Sequence, residues 1–177
     1  MSLLLSFFRR SVLLIDSLNE WVGRFVSWLV LALVLTTFCI VMLRYLFDLS
    51  WVMMQESTVY LHGIIFMLGA AYTLKHEGHV RVDIIYQRCT PRVKAWVDLF
   101  GTLFLLLPVA GFILWSSWEY VMNAWGILEA SRNSGGLPFV YLLKSCLLLI
   151  SILLILQGLS LLMSKIIYLV DQGREHG

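Results

Sequence analysis

Four long apolar stretches, separated by shorter polar connections, dominate the sequence. They predict helices over about residues 24–46, 53–74, 95–118 and 138–163. About 20 helical residues, each rising 1.5 Å, cross the hydrocarbon core of a bilayer. The pattern therefore predicts an all-α integral membrane protein with four transmembrane helices. Since no linker or shift in composition divides residues 1–177, we expect a single membrane domain.

Both ends of the chain are more polar than the four stretches. Residues 1–20 alternate apolar clusters with serine, arginine and aspartate, which predicts an amphipathic segment at the membrane surface with Arg9 and Arg10 toward anionic headgroups. A poorly ordered leader is the alternative. No small-x-small cleavage pattern follows, so we expect the segment to be retained. Residues 166–177 are predicted to form a polar tail.

The longest polar loop, residues 75–94, joins the second and third predicted helices. Its His76-Glu77-Gly78-His79 run contains metal-ligand types but lacks the spacing of known zinc motifs, and a loop does not oblige the two rings to converge. We therefore interpret the loop as an interfacial elbow. In this interpretation His79, Arg81 and Asp83 anchor it by pairing with each other or with lipid phosphate.

Several single residues mark the predicted helices. Glu56 is expected in the first turn of the second helix, where a carboxylate meets the positive end of the helix dipole. Gly63, Gly69 and Ala70 thin that helix and permit close approach by another helix. In the third helix, Pro108 predicts a kink or local bend, because it lacks a backbone donor and crowds the preceding turn.

Composition and charge agree with a membrane protein. Sixty per cent of the residues are hydrophobic and 14% are charged, which is too little charge for the surface of a soluble domain. A net charge of +2, scattered along the chain, gives no indication of nucleic-acid binding. Ten of the thirteen lysines and arginines lie in the N-terminal region, the central loop and the C-terminal region. By the positive-inside rule, both termini and the central loop are predicted to be cytoplasmic.

Chemistry within the membrane is sparse. His62 falls near the middle of the second helix, where a polar ring needs a partner; hydrogen bonding within this chain or to another protein and proton relay are the alternatives. A haem bound by two histidines would need a second mid-membrane histidine, which the sequence lacks. No phosphate-binding loop is present, so ATP use by this chain is not expected. The cysteines Cys39, Cys89 and Cys146 have no metal-ligand spacing and are interpreted as packing residues.

The order of several motifs resembles a known family, the small membrane (Q, DctQ-like) subunit of tripartite ATP-independent periplasmic (TRAP) transporters. The resemblance covers about residues 21–165. It rests on these residues: Arg44-Tyr45, Trp51, Glu56, Tyr60-Leu61, Phe66-x-Leu68-Gly69-Ala70-Ala71, His79-Val80-Arg81-Val82-Asp83, Glu129-x-Ser131 and Gly136-Leu137-Pro138.

The resemblance implies a place in a bacterial cytoplasmic membrane beside a large membrane (M) subunit that holds the substrate and sodium sites. A periplasmic binding protein would deliver an organic acid, commonly a carboxylate. The small subunit would be the fixed scaffold of an elevator transporter, with no cofactor, no enzymatic activity and no ATPase partner. The remaining alternatives are a self-sufficient four-helix channel or exporter, and a membrane enzyme or redox subunit, for which the necessary ligand pairs are missing.

Within this resemblance, the apolar outer faces and the small-residue stripe of the second helix are expected to pack on the large subunit. Glu56, Glu129 and Arg132 are candidates for positioning outer loops or touching the binding protein, with a solvated or capping role as the alternative. The full set of interface or anchoring candidates is Arg44, Trp51, Glu56, His62, Gly63, Gly69, Ala70, His79, Arg81, Asp83, Glu129 and Arg132.

Overall fold

The computed structural model describes residues 2–78 and 89–175, and the side chains of residues 6–78 and 89–172. Four helices make up this part of the chain: α1 (Ser2–Phe47), α2 (Val52–Lys75), α3 (Pro91–Gly126) and α4 (Val140–Glu175). All four are long and apolar enough to cross a membrane. The predicted all-α class and the number of spanning helices are confirmed.

The first helix is longer than its apolar stretch. Its 46 residues run without a break from Ser2 to Phe47, about 69 Å at 1.5 Å per residue. From Ser2 onward, the predicted amphipathic segment of residues 1–20 is therefore not a separate element but the first part of α1. Asp16 and Asn19 lie within this continuous helix, and their side chains bond to α4.

The third helix begins at one proline and has an irregular turn just ahead of the next. Thr90 caps its start by accepting a hydrogen bond from the Val93 N–H at 3.5 Å, and Pro91 occupies the first turn. Just ahead of Pro108, residues Thr102–Leu106 form a π-helical segment, and the Leu107 N–H bonds to the Thr102 carbonyl. The wider turn lies where the proline ring would otherwise crowd the preceding residues. The predicted irregularity is present in this form.

Two helices continue past the ends predicted for them. The third helix was expected to end near residue 118 but continues to Gly126, because Val121 and Ala124 are buried. The fourth was expected to end near residue 163 with a polar tail, but α4 continues to Glu175. Asp171 in this extension forms an ion pair with Arg9 of α1 at 3.0 Å.

Helix α4 is the centre of the arrangement. Within the described residues it packs against α1, α2 and α3, while α1 and α2 also pack on each other. One third of the most apolar stretch of α4 is buried, against 6% in α1 and 11% in each of α2 and α3. The helices therefore form an open array around α4 that leaves broad apolar faces uncovered.

Because consecutive helices run in opposite directions, the array has two ends. We call the end formed by residues 2–20, 75–78, 89–98 and 165–175 the inner end, following the predicted orientation. The outer end is formed by residues 44–56 and 119–144. Most of the longer-range polar contacts lie at these two ends, so the candidate functional residues are described by the end at which they lie.

Candidate functional site

A single carboxylate organises the outer end. Glu56 accepts hydrogen bonds from the Ser131 hydroxyl at 2.5 Å, the Asn133 side-chain amide at 2.8 Å and the Leu137 backbone N–H at 2.7 Å. We call these four residues the Glu56 cluster. It fastens the connection of residues 127–139, which follows α3, to the side of α2.

The position of Glu56 differs from the one predicted. Trp51 is the residue that precedes α2, and the helix begins at Val52, so its first turn contains no acidic residue. Glu56 lies one turn further along, where its oxygens meet the connection instead of the free N–H groups of the helix start.

Gly136 makes room for the Glu56 cluster. A Cβ atom at this position would lie 2.5 Å from the Ser131 oxygen and 2.7 Å from each Glu56 oxygen, closer than real Cβ contacts. The backbone of the connection can therefore cover the carboxylate only if residue 136 is glycine.

A second set of contacts ties the connection and the end of α3 to α4. The Lys144 ammonium forms an ion pair with the Glu129 carboxylate and lies 3.9 Å from the centre of the Tyr120 ring. The Trp125 ring N–H donates to the Ser145 hydroxyl at 2.8 Å. Glu129 is thus a structural ion-pair partner.

Two predicted outer-end candidates point away from these contacts. Arg44, in the last turn of α1, and Arg132, in the connection, are both exposed, and neither has a hydrogen bond or ion pair within the described part of the chain. Both guanidinium groups are therefore accessible at the outer end.

The small residues of α2 serve packing inside the chain. A Cβ atom at Gly63 would lie 3.1 Å from Leu143 of α4, and one at Gly69 would lie 3.8 Å from Val26 of α1. Ala70 is half-buried and Ala71 is fully buried. This corrects the prediction that the small-residue stripe packs on a partner subunit, because α1 and α4 already occupy that face.

His62 lies on an exposed face of α2. Its ring makes no hydrogen bond to any residue that the structure describes. The sequence analysis considered a hydrogen bond to another residue of this chain or to another protein. No partner within the described part of this chain is present.

The inner end is held by ion pairs. The Glu20 carboxylate binds the Lys75 ammonium at 2.7 Å and the His76 ring at 3.0 Å, which joins α1 to the end of α2. Lys165 of α4 pairs with Asp98 of α3 at 2.7 Å. His79, Arg81 and Asp83 lie outside the described residues, so their predicted anchoring role stays a prediction.

A buried polar network between α1 and α4 was missed by the sequence analysis. Asn19 donates to Gln157 at 2.7 Å, while Gln157 and Ser160 donate to Asp16 at 3.1 and 2.7 Å. Asn19, Gln157 and Ser160 are at most 3% exposed. The available signal was spacing: Asp16 and Asn19 are three residues apart, as are Gln157 and Ser160, so each pair shares one face of its helix.

These arrangements hold helices together and provide little chemistry. Among residues 2–78 and 89–175, no group of three or more histidine, cysteine, aspartate and glutamate side chains is placed to hold a metal ion. The carboxylates of Glu20, Glu56 and Glu129 are each engaged by donors of this chain. The geometry is that of a braced helical array with polar ends.

Comparison with known proteins identifies a similar family. The family described as "Tripartite ATP-independent periplasmic transporters, DctQ component" matches residues 33–166. A relative from Vibrio cholerae serotype O1, the "C4-dicarboxylate TRAP transporter small permease protein DctQ", is 27% identical over 115 residues. That match covers 65% of this chain and 48% of the relative, so the chain spans about half of the relative's length. No solved structure matches the chain.

Proposed function

The chain belongs to the DctQ component family of tripartite ATP-independent periplasmic transporters, and from this premise we propose that it is the stationary scaffold subunit of such a transporter. In this role it stays at a constant depth in the bacterial inner membrane while the transport domain of a large membrane subunit moves beside it. The family match over residues 33–166 is the observation that carries the proposal.

Resistance to vertical movement is the first physical requirement of a scaffold. Charged groups lie at both ends of the array, and moving one charge into hydrocarbon costs several kcal/mol. All seven tryptophans are exposed, as expected for rings that sit at the two membrane interfaces: Trp21, Trp28, Trp51, Trp96, Trp115, Trp118 and Trp125. Displacing the array along the membrane normal would pull both sets from their preferred depth.

Internal rigidity is the second requirement. The Glu56 cluster and the Lys144–Glu129 pair brace the outer end, and the Glu20–Lys75 and Lys165–Asp98 pairs brace the inner end. The network around Asp16 and Gln157 adds a buried connection between α1 and α4. A helical array held together in this way can keep its shape while the transport domain of the large subunit moves beside it.

The transported compound is proposed from the relative's name. That protein is named for C4-dicarboxylates, so we propose a small dicarboxylate as the substrate, with sodium coupling and substrate recognition both supplied by the large subunit. A periplasmic binding protein is the third component of this assembly. The chain itself is proposed to carry no substrate site.

Reconstitution tests the proposal directly. The chain is co-expressed with the large subunit, purified through a tag on the chain and placed in liposomes with the binding protein. We expect the large subunit to co-purify, and radiolabelled dicarboxylate uptake to require both membrane proteins and an inward sodium gradient.

The matched control is the chain reconstituted alone. Sodium-dependent uptake by the chain alone would overturn the scaffold role and favour the self-sufficient channel or exporter. Failure of the large subunit to co-purify, with the chain folded and in the membrane, would equally contradict the proposal.

A further inference from the structure

One exposed face of α2 has the spacing of a helix–helix seam. Five exposed residues follow one another at intervals of three, four, three and four: Val52, Gln55, Val59, His62 and Phe66. We call this set the α2 seam. A 3-4 alternation keeps one row of side chains facing a neighbouring helix, as in coiled coils. The other faces of α2 already contact α1 and α4.

The centre of the α2 seam is polar. His62 lies ten residues from the start of α2, about 15 Å along the helix and about half the thickness of the hydrocarbon core. Its flanking residues Val59 and Phe66 are 61% and 71% exposed, so the ring projects from an open surface. Lipid tails offer no hydrogen-bond partner at this depth, and an unsatisfied polar group there costs several kcal/mol.

The exposed face of α3 provides a contrast within the same molecule. Its large exposed side chains through the middle of the helix are all apolar: Phe104, Leu105, Val109 and Phe112. Lipid satisfies such a surface completely. At mid-membrane depth the α2 seam differs from this surface by the imidazole of His62, since the other polar member, Gln55, lies near the start of α2 and bonds to Ser50. In helix seams, one polar residue at the centre fixes the partner and its register.

We propose that a transmembrane helix of the large membrane subunit lies along the α2 seam and presents a polar side chain, a carboxylate, amide or hydroxyl, that hydrogen-bonds to His62 at mid-membrane. This rests on the proposed function, since the tripartite transporter supplies the second membrane protein. A hydrogen bond between His62 and a polar side chain on that helix would satisfy both groups where no water is available.

Site-specific photocrosslinking in the complete transporter tests the contact. A benzophenone amino acid replaces His62 in one variant and Phe112, on the exposed face of α3, in the control. After illumination of membranes that contain all components, we expect a covalent adduct with the large subunit from position 62 and none from position 112.

Substitutions test the hydrogen bond separately. His62→Gln keeps a donor and an acceptor, whereas His62→Leu keeps neither. We expect the large subunit retained after a detergent wash to fall several-fold for His62→Leu and to stay near the wild-type amount for His62→Gln. Phe112→Leu is the matched control and should change nothing.

The outcomes separate this inference from the proposed function. If the large subunit co-purifies but position 62 crosslinks only to lipid, to a second copy of this chain, or no better than position 112, the seam contact is refuted and the scaffold proposal stands. Equal loss for His62→Gln and His62→Leu would refute the hydrogen bond. If no complex forms at all, both proposals fail together.

Discussion

At the residue scale, the conformation of the outer end depends on the hydrogen bonds that the Glu56 carboxylate accepts. Glu56 accepts one hydrogen bond from each of three positions in the connection, which spans only residues 127–139. Hydrogen bonds to an ionised acceptor are stronger than neutral ones. The conformation of the connection therefore depends on the charge and on both oxygens of Glu56.

Glu56→Gln should loosen the connection. The amide keeps one acceptor, but its NH2 group faces a donor that the carboxylate formerly satisfied, so at least one of the three bonds is lost. We expect a lower apparent melting temperature in detergent and faster proteolysis within residues 127–139. Glu119→Gln is the matched control, because Glu119 is exposed and has no partner among the described residues. An unchanged cleavage rate for Glu56→Gln would contradict this role.

The Lys144–Glu129 pair should show measurable coupling. Both side chains are partly buried, with 16% and 22% of their surface exposed. In a double-mutant cycle of Lys144→Met and Glu129→Gln, we expect a coupling free energy of about 0.5–1 kcal/mol, the upper part of the range for accessible pairs. The measurement is thermal unfolding of the four proteins in one detergent. Strict additivity of the two changes would show that the pair contributes nothing.

The candidate residues were predictable in type but not in partner. Glu56 and Glu129 stand out as charges beside apolar stretches, whereas Ser131, Asn133 and Lys144 are joined to them only by the path of the connection. The small-residue stripe was correctly recognised as a close-packing surface. Its neighbour was assigned wrongly, because a sequence does not tell which of several apolar helices fills a groove.

At the element scale, the packing of α1 on α2 depends on a missing side chain. A Cβ atom at Gly23 would overlap the ring of Tyr72 on α2. That ring cannot easily move away, since it also packs on the His76 ring with 4.4 Å between centres. Gly23 thus sets how closely the two helices approach near the inner end.

Gly23→Ala should therefore destabilise the array. Inserting one methyl group into a packed contact costs about 1–3 kcal/mol, and alanine's better helix propensity offsets about 1 kcal/mol of this at most. Gly111→Ala is the matched control, because nothing lies within 4 Å of the added atom, and it should be neutral or stabilising. We expect the apparent melting temperature to fall for the first variant alone. Recovery in Gly23→Ala/Tyr72→Leu would confirm the overlap as the cause.

Helix ends were harder to predict than helices for a physical reason. The apolar pattern predicts which residues of a helix lie within the membrane, and it ends where the helix leaves the membrane. Helices α1, α3 and α4 continue past that point, held by contacts such as Arg9 with Asp171 and by buried Val121. Only tertiary contacts decide these extensions. Pro108 was informative because its effect on the backbone is local.

At the scale of the whole molecule, the open array could not be derived from the sequence. In lipid, outer and inner faces are both apolar, so hydrophobicity does not distinguish the buried side of a helix from the exposed one. The central position of α4 has a weak sequence signal in Ser151, Gln157 and Ser160, three polar residues that are all buried. The distribution of lysine and arginine along the chain is a clearer signal, and it predicts the orientation of the whole molecule in the membrane.

Orientation is open to a direct test with two exposed arginines at opposite ends. Ten lysines and arginines belong to the segments predicted to be cytoplasmic and three to the other side, an asymmetry that the positive-inside rule converts into both termini inside. In a variant with Cys39, Cys89 and Cys146 replaced by serine, Arg132→Cys places a thiol at the outer end and Arg92→Cys places one at the inner end. Each change removes one exposed arginine, so the two variants are matched in charge.

In intact cells, a membrane-impermeant maleimide should label position 132 and not position 92, and in inside-out vesicles the preference should reverse. The reason is that neither a charged maleimide nor the outer connection can cross the hydrocarbon core. Labelling of position 92 in intact cells would contradict the predicted topology, and the Glu56 cluster would then face the cytoplasm.

The same labelling, repeated on the complete transporter after addition of substrate and sodium, tests whether the subunit moves during transport. A scaffold that stays at constant depth should keep both labelling rates unchanged, whereas a subunit that moves with the substrate should alter them.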